Sequence, residues 1–112
     1  MAMLECYEPS LVAWRVLTRT ADAFMTVSED DAAETMRRLA RPLAGDPAIV
    51  AGESGAAGLA GLLRVMKEKT LRTELGLDEK ARVFVINTEG ATDQARYESI
   101  VGVDPARVLA VA

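Results

Sequence analysis

The sequence predicts an α/β fold, a three-layer unit with a short, mostly parallel sheet flanked by helices. Two observations predict it. Apolar, strand-like runs alternate with helical runs of roughly ten or more residues, the pattern of β-α-β units. Residues 82–86, RVFVI, are β-branched and aromatic, with charge before them and NTEG after. The chain has 112 residues, half of them hydrophobic, which fits one unit large enough to bury a core. Three strands are few for a self-sufficient sheet.

In chain order, Leu11, Val12, Trp14, Val16 and Leu17 lie in an amphipathic helix entered at Glu8-Pro9-Ser10, with Ser10 as N-cap. Ala21 to Val27, ADAFMTV, reads as a short buried strand. Ser28 followed by Asp31 has the capping-box form, and Glu29, Asp30 and Asp31 suit the positive end of a helix dipole. Ala32, Ala33, Met36, Leu39 and Ala40 keep helical spacing. Arg37, Arg38 and Arg41 follow as a solvated face, and Pro42 stops the helix.

After a turn at Gly45-Asp46-Pro47, residues 48–51 form a second strand candidate. The run VAGESGAAGLAGLL then leads into a helix expected to reach about Lys69, and Leu71 to Leu77 make a further turn closed by Gly76. RVFVI is the third strand. Ala91 to Val101 is helical, with Thr92 or Asp93 as cap, and DPARVLAVA supplies a last helical turn.

Composition narrows the function. A net charge of −4 argues against nucleic-acid binding, which needs a basic face. No histidine is present, so neither a histidine-activated nucleophile nor a histidine metal site is available. The single Cys6 fits a reducing, cytoplasmic setting, and Glu5 and Glu8 stand where a signal peptide would be basic and then apolar. No membrane span is expected, because Glu53 lies inside the apolar run and Arg64 ends it.

Two stretches could carry chemistry. Gly52, Gly55, Gly58 and Gly61 recur every third residue, although each glycine weakens a helix by roughly 1 kcal/mol relative to alanine. Ala56 and Ala57 follow Gly55 where a Walker loop needs lysine and serine or threonine. No two of these glycines are separated by one residue, so the dinucleotide fingerprint fails as well. Close packing and a ligand-facing surface both remain as explanations. NTEGATD, Asn87 to Asp93, follows the third strand, where α/β sheets place ligands; it also reads as a plain connection. Cys6 reads as a small apolar residue rather than a nucleophile. Lys67, Lys69 and Lys80 have charged neighbours, unlike a desolvated Schiff-base lysine.

Together, Cys6…Glu8-Pro9-Ser10, VAGESGAAGLAGLL and LGLDEKARVFVINTEGATD resemble the C-terminal part of diaminopropionate ammonia-lyase. That family is among the fold-type II enzymes dependent on pyridoxal phosphate (PLP), with threonine dehydratase and the tryptophan synthase β chain. The resemblance implies that residues 1–112 are the C-terminal portion of a larger catalytic domain. The intact enzyme would be a homodimer converting 2,3-diaminopropionate to pyruvate and ammonia, with PLP as electron sink. Thr88, beside Asn87, would meet the PLP ring nitrogen, with Glu89 and Gly90 shaping the loop. Glu53, Ser54, Gly55 and Ala56 would line the cavity floor, and Cys6 and Glu8 would lie on the side of the amino-acid substrate.

The family's glycine between Cys and Glu is Tyr7 here, and no residue of this chain matches its PLP-bearing lysine or its glycine-rich phosphate loop. The resemblance therefore assigns no catalytic residue and implies that this chain alone lacks lyase activity and need not bind PLP. The alternatives are a small non-enzymatic α/β module that self-associates, and a fragment of a threonine or serine dehydratase-like relative.

Overall fold

The computed structural model describes Met1 and residues 4–110. Helix α1, Leu11–Thr20, starts at the expected cap, with Ser10 Oγ accepting from the Ala13 amide at 3.3 Å. Helix α2, Glu29–Ala40, carries the full capping box. The Asp31 amide donates to Ser28 Oγ at 3.1 Å, and the Ser28 amide donates to Asp31 Oδ2 at 3.0 Å. Helix α3, Glu53–Lys67, holds the glycine run and ends two residues before the expected Lys69. Glu68 is extended, at φ −107° and ψ 102°, and separates α3 from α4, Lys69–Glu74. Gly76 follows in the left-handed region at φ 65°, as a helix stop requires.

Helix α5, Gln94–Val101, is capped by Asp93, whose Oδ1 accepts from the Arg96 amide at 2.9 Å. Gly102 closes it at φ 78°. Helix α6, Pro105–Leu109, begins at an Asp104 cap with proline in its first turn. Val111 and Ala112, to which DPARVLAVA extends, lie outside the described residues.

The expected sheet is absent: no strand occurs among the described residues, and the architecture is helices joined by extended and looped segments. Residues 21–27, 48–51 and 82–86 do not pair with one another. The backbone bonds made by the first two runs and the residue after the second go to helix ends and loops instead. The Ile49 amide donates to the Leu39 carbonyl at the end of α2 at 2.8 Å, and the Gly52 amide donates to the Glu89 carbonyl at 2.8 Å. β-Branched residues favour an extended backbone, but a strand also needs a neighbour at ladder spacing, and composition does not supply one.

Packing centres on α2, which lies between α3 and α5. Met36, Ala40, Ala51, Ala56, Tyr97, Val101 and Val108 form the core cluster. Two arginines read as solvated tie α2 to α5. Arg37 Nε donates to the Ile100 carbonyl at 2.9 Å, and Arg41 Nη2 donates to the Val101 carbonyl at 3.1 Å. They satisfy carbonyls that the end of a helix leaves without partners.

Much apolar surface is uncovered. Among the described residues helix α1 buries no residue and packs extensively on no other helix, and Trp14 is 56% exposed and Phe84 85% exposed. The molecule is thin, 40 × 38 × 20 Å, with a radius of gyration of 15.3 Å. A closed domain of about 100 residues has roughly 13 Å.

Candidate functional site

The glycine run and the NTEGATD loop, thirty-odd residues apart in sequence, meet at the start of α3. Gly52 occupies the N-cap and has no side chain to offer. A Cβ there would lie 2.5 Å from the Gly90 carbonyl oxygen and 2.7 Å from Glu89 Oε2. A Cβ on Gly55 would overlap Asn87 Oδ1 and the Glu89 carbonyl oxygen. Farther along the helix, Gly58 faces Val85 Cγ1 and Gly61 faces Met25 Sδ. The run is a packing face, and the loop of residues 87–90 lies directly on its first turn.

Polar contacts hold that loop. The Ser54 amide donates to Glu89 Oε2 at 3.0 Å, and Asn87 Nδ2 donates to the Val50 carbonyl at 3.1 Å. Thr88 sits between these anchors with an exposed side chain. The Ser54 hydroxyl is buried and has no hydrogen-bond partner.

Beside this junction opens a cleft of about 490 Å³, walled by Gly52, Glu53, Glu89, Gly90 and Ala91 on one side and by Glu29, Met36 and Tyr97 on another. Glu53, its side chain 10% exposed, pairs with Arg96 Nη2 at 3.1 Å and stands 3.8 Å from the Met1 ammonium. That ammonium also bonds Glu29 Oε1 at 2.7 Å, which raises the pKa of the amine and lowers that of Glu29. Tyr97 lines the cleft and buries its hydroxyl without a partner; loss of water raises its pKa.

Of the residues singled out in the sequence, the fold gathers Glu53, Ser54, Gly55, Asn87, Thr88, Glu89 and Gly90 around one helix end. It does not bring Cys6 and Glu8 there. Both are exposed, and Cys6 Sγ contacts the Glu8 carbonyl at 3.3 Å, while their neighbour Glu5 lines the cleft. Sequence reasoning missed Arg96 and Tyr97. The signal for Arg96 was Glu53 itself, since a carboxylate inside an apolar run needs a cation within reach. Among the described residues no group of Cys, Asp and Glu could hold a metal ion, and no helix is long and apolar enough to cross a membrane.

The cleft suits one end of PLP better than the other. Five carboxylates, from Glu5, Glu29, Glu53, Glu89 and Asp93, line it against Arg96 and the Met1 ammonium. The Ser54 amide at the positive end of α3 is already taken by Glu89. A phosphate would meet like charge and no open amide cradle. A flat, neutral-edged ring fits the small and polar groups that line the cleft at Gly52, Gly90, Ala91 and Thr92, while Asn87 and Thr88 stand outside its lining.

No family model matches the sequence. Over 104 residues, 90% of this chain, the sequence is 40% identical to diaminopropionate ammonia-lyase of Escherichia coli (strain K12), covering 26% of that protein. It is 37% identical to the enzyme of the same name from Salmonella typhimurium (strain LT2), again over 90% of this chain and 26% of the relative. The crystal structure of the Escherichia coli enzyme in complex with D-serine matches with a TM-score of 0.83 at 40% identity, over 90% of this chain and 27% of that one. The same enzyme in complex with an aminoacrylate-PLP azomethine reaction intermediate also gives a TM-score of 0.83. This chain therefore resembles diaminopropionate ammonia-lyase along most of its own length, and it spans about a quarter of the length of these relatives.

Proposed function

We propose that this chain is a portion of a PLP-dependent ammonia-lyase that converts 2,3-diaminopropionate to pyruvate and ammonia when the remainder of the enzyme is present. One observation carries the reading: GESGA and TEGATD, from two of the stretches on which the resemblance rests, are bonded to each other at the rim of one cleft. PLP, when bound, supplies the electron sink for charge developing at the substrate Cα. The Thr88 hydroxyl, exposed between two anchored residues, is the group offered to the ring nitrogen, with Asn87 and Gly90 holding the loop around it. Gly52 and Glu53 form the floor, with Ser54 and Gly55 packed beneath the loop that covers them, and Cys6 and Glu8 belong to the substrate side, delivered there by contacts outside this chain. The phosphate and the imine-forming lysine are the business of the remainder.

This reading also accounts for the exposed apolar surface of α1, Phe24, Phe84 and Ile86, which is the seam against that remainder. The same surface supports a second reading, in which the chain covers its seam by pairing with a copy of itself. Gel filtration separates them, because self-pairing requires dimers or larger species of the isolated chain. The primary reading is tested by incubating the isolated chain with PLP and 2,3-diaminopropionate. No pyruvate above a buffer control is expected, and steady pyruvate release would overturn the division of labour.

A further inference from the structure

Helix α3 begins without a capping side chain, because Gly52 stands at its N-cap. The missing acceptor comes from 35 residues away, where Glu89 Oε2 takes the Ser54 amide at 3.0 Å. The backbone of Glu89 is held as well. Its carbonyl accepts from the Gly52 amide at 2.8 Å, and its amide donates to Asn87 Oδ1 at 3.3 Å. Only glycine at position 52 leaves room for this carboxylate, since a Cβ there would stand 2.7 Å from Glu89 Cδ. Glu53, the other nearby carboxylate, is committed to Arg96. The bonds on either side of Thr88 thus fix its backbone, while none of them uses its hydroxyl.

We propose that Glu89 is a positioning residue. Its carboxylate acts as the N-cap that the sequence of α3 lacks, and in doing so it sets where the Thr88 hydroxyl stands. The assignment of that hydroxyl to PLP rests on the function proposed above, whereas the clasp itself does not. The chemistry asks for an acceptor with the reach of two methylenes. Gln keeps the reach and one acceptor oxygen but loses the charge that favours the helix dipole, and Ala loses everything.

The test is nuclear magnetic resonance on the ¹⁵N-labelled chain, wild type against Glu89→Gln and Glu89→Ala. Two readouts need no cofactor: hydrogen exchange at the Ser54 amide, and the chemical shift of the Thr88 amide. Glu89→Ala is expected to speed exchange at Ser54 roughly ten- to hundredfold, as loss of a charge-assisted bond does. It should also displace the Thr88 signal, and Glu89→Gln should restore both in part. If Glu89→Ala fails to fold, Glu89→Gln carries the test alone, with exchange at Ser54 faster by roughly threefold or more. Exchange within twofold of wild type in whichever variant folds, or an unmoved Thr88 signal, overturns the proposal. Adding PLP to the wild-type chain then examines the underlying reading separately. A Thr88 signal indifferent to PLP counts against Thr88 as the cofactor's partner, while the two cofactor-free readouts still decide the clasp.

Discussion

Replacing Gly55 with alanine sets two effects of known size against each other. In an ordinary helix the change is favourable by about 1 kcal/mol, because alanine is the better helix former. Here the new methyl would occupy the space of Asn87 Oδ1 and of the Glu89 carbonyl oxygen, one of them backbone. Relief requires the 87–90 loop to lift from α3. Lifting breaks the bond from the Ser54 amide to the Glu89 carboxylate, worth roughly 1.5–3 kcal/mol, and two neutral bonds at Gly52 and Val50, worth roughly 0.5–1.5 kcal/mol each. Loss exceeds gain, and Gly55→Ala should destabilise the chain by about 1.5–5 kcal/mol. The expected fall in Tm is roughly 10 °C or more. Gly61→Ala is the control. The atoms nearest its methyl all belong to the flexible Met25 side chain, Sδ at 3.0 Å and Cε and Cγ at 3.8 Å, so it should be neutral or stabilising by up to about 1 kcal/mol. Urea and thermal unfolding of both variants check the ordering. A Gly55→Ala protein at least as stable as wild type would refute the packing argument.

Further outcomes follow from other contacts. Among the described residues, Arg96→Ala leaves the Glu53 carboxylate with only the Met1 ammonium at 3.8 Å and should cost about 1–3 kcal/mol in urea unfolding; adding Glu53→Gln should return part of it. Tyr97→Phe removes a hydroxyl with no hydrogen-bond partner among the described residues and should change stability by under about 1 kcal/mol, whereas Tyr97→Ala should cost about 3–5 kcal/mol. The Ser28 amide and then the Ser28 hydroxyl hold the Asp31 pKa below its ordinary value. A depressed carboxylate pKa stabilises the fold above the ordinary aspartate range, and that contribution disappears as pH falls through the folded-state value. Circular dichroism during acid titration should therefore show α2 weakening, and Asp31→Asn should flatten that limb.

Local chemistry made the helices legible. Ser10, Ser28 and Asp93 announce their helices because a cap and its target lie within three residues, and Gly76 announces an end because few other residues accept positive φ. The sheet was misread for the complementary reason. RVFVI has the residues of a strand, but strand pairing depends on distant backbone, and none is in register beside it. In the site, glycine spacing exposed a packing face without naming its occupant. The occupant, the 87–90 loop, comes from over thirty residues away. The Glu53–Arg96 pair was similarly hidden, since 43 residues separate its members. The arginines of α2 looked solvated because their acceptors, the Ile100 and Val101 carbonyls, are backbone atoms that any sequence possesses.

The central claim is that these residues serve as part of a diaminopropionate ammonia-lyase. Its most direct test is a chimera in which this chain replaces the matching 26% of the Escherichia coli enzyme. The account predicts a PLP-loaded protein that releases pyruvate and ammonia from 2,3-diaminopropionate and loses that activity on Thr88→Val. A chimera that folds and loads PLP yet releases no pyruvate would contradict it.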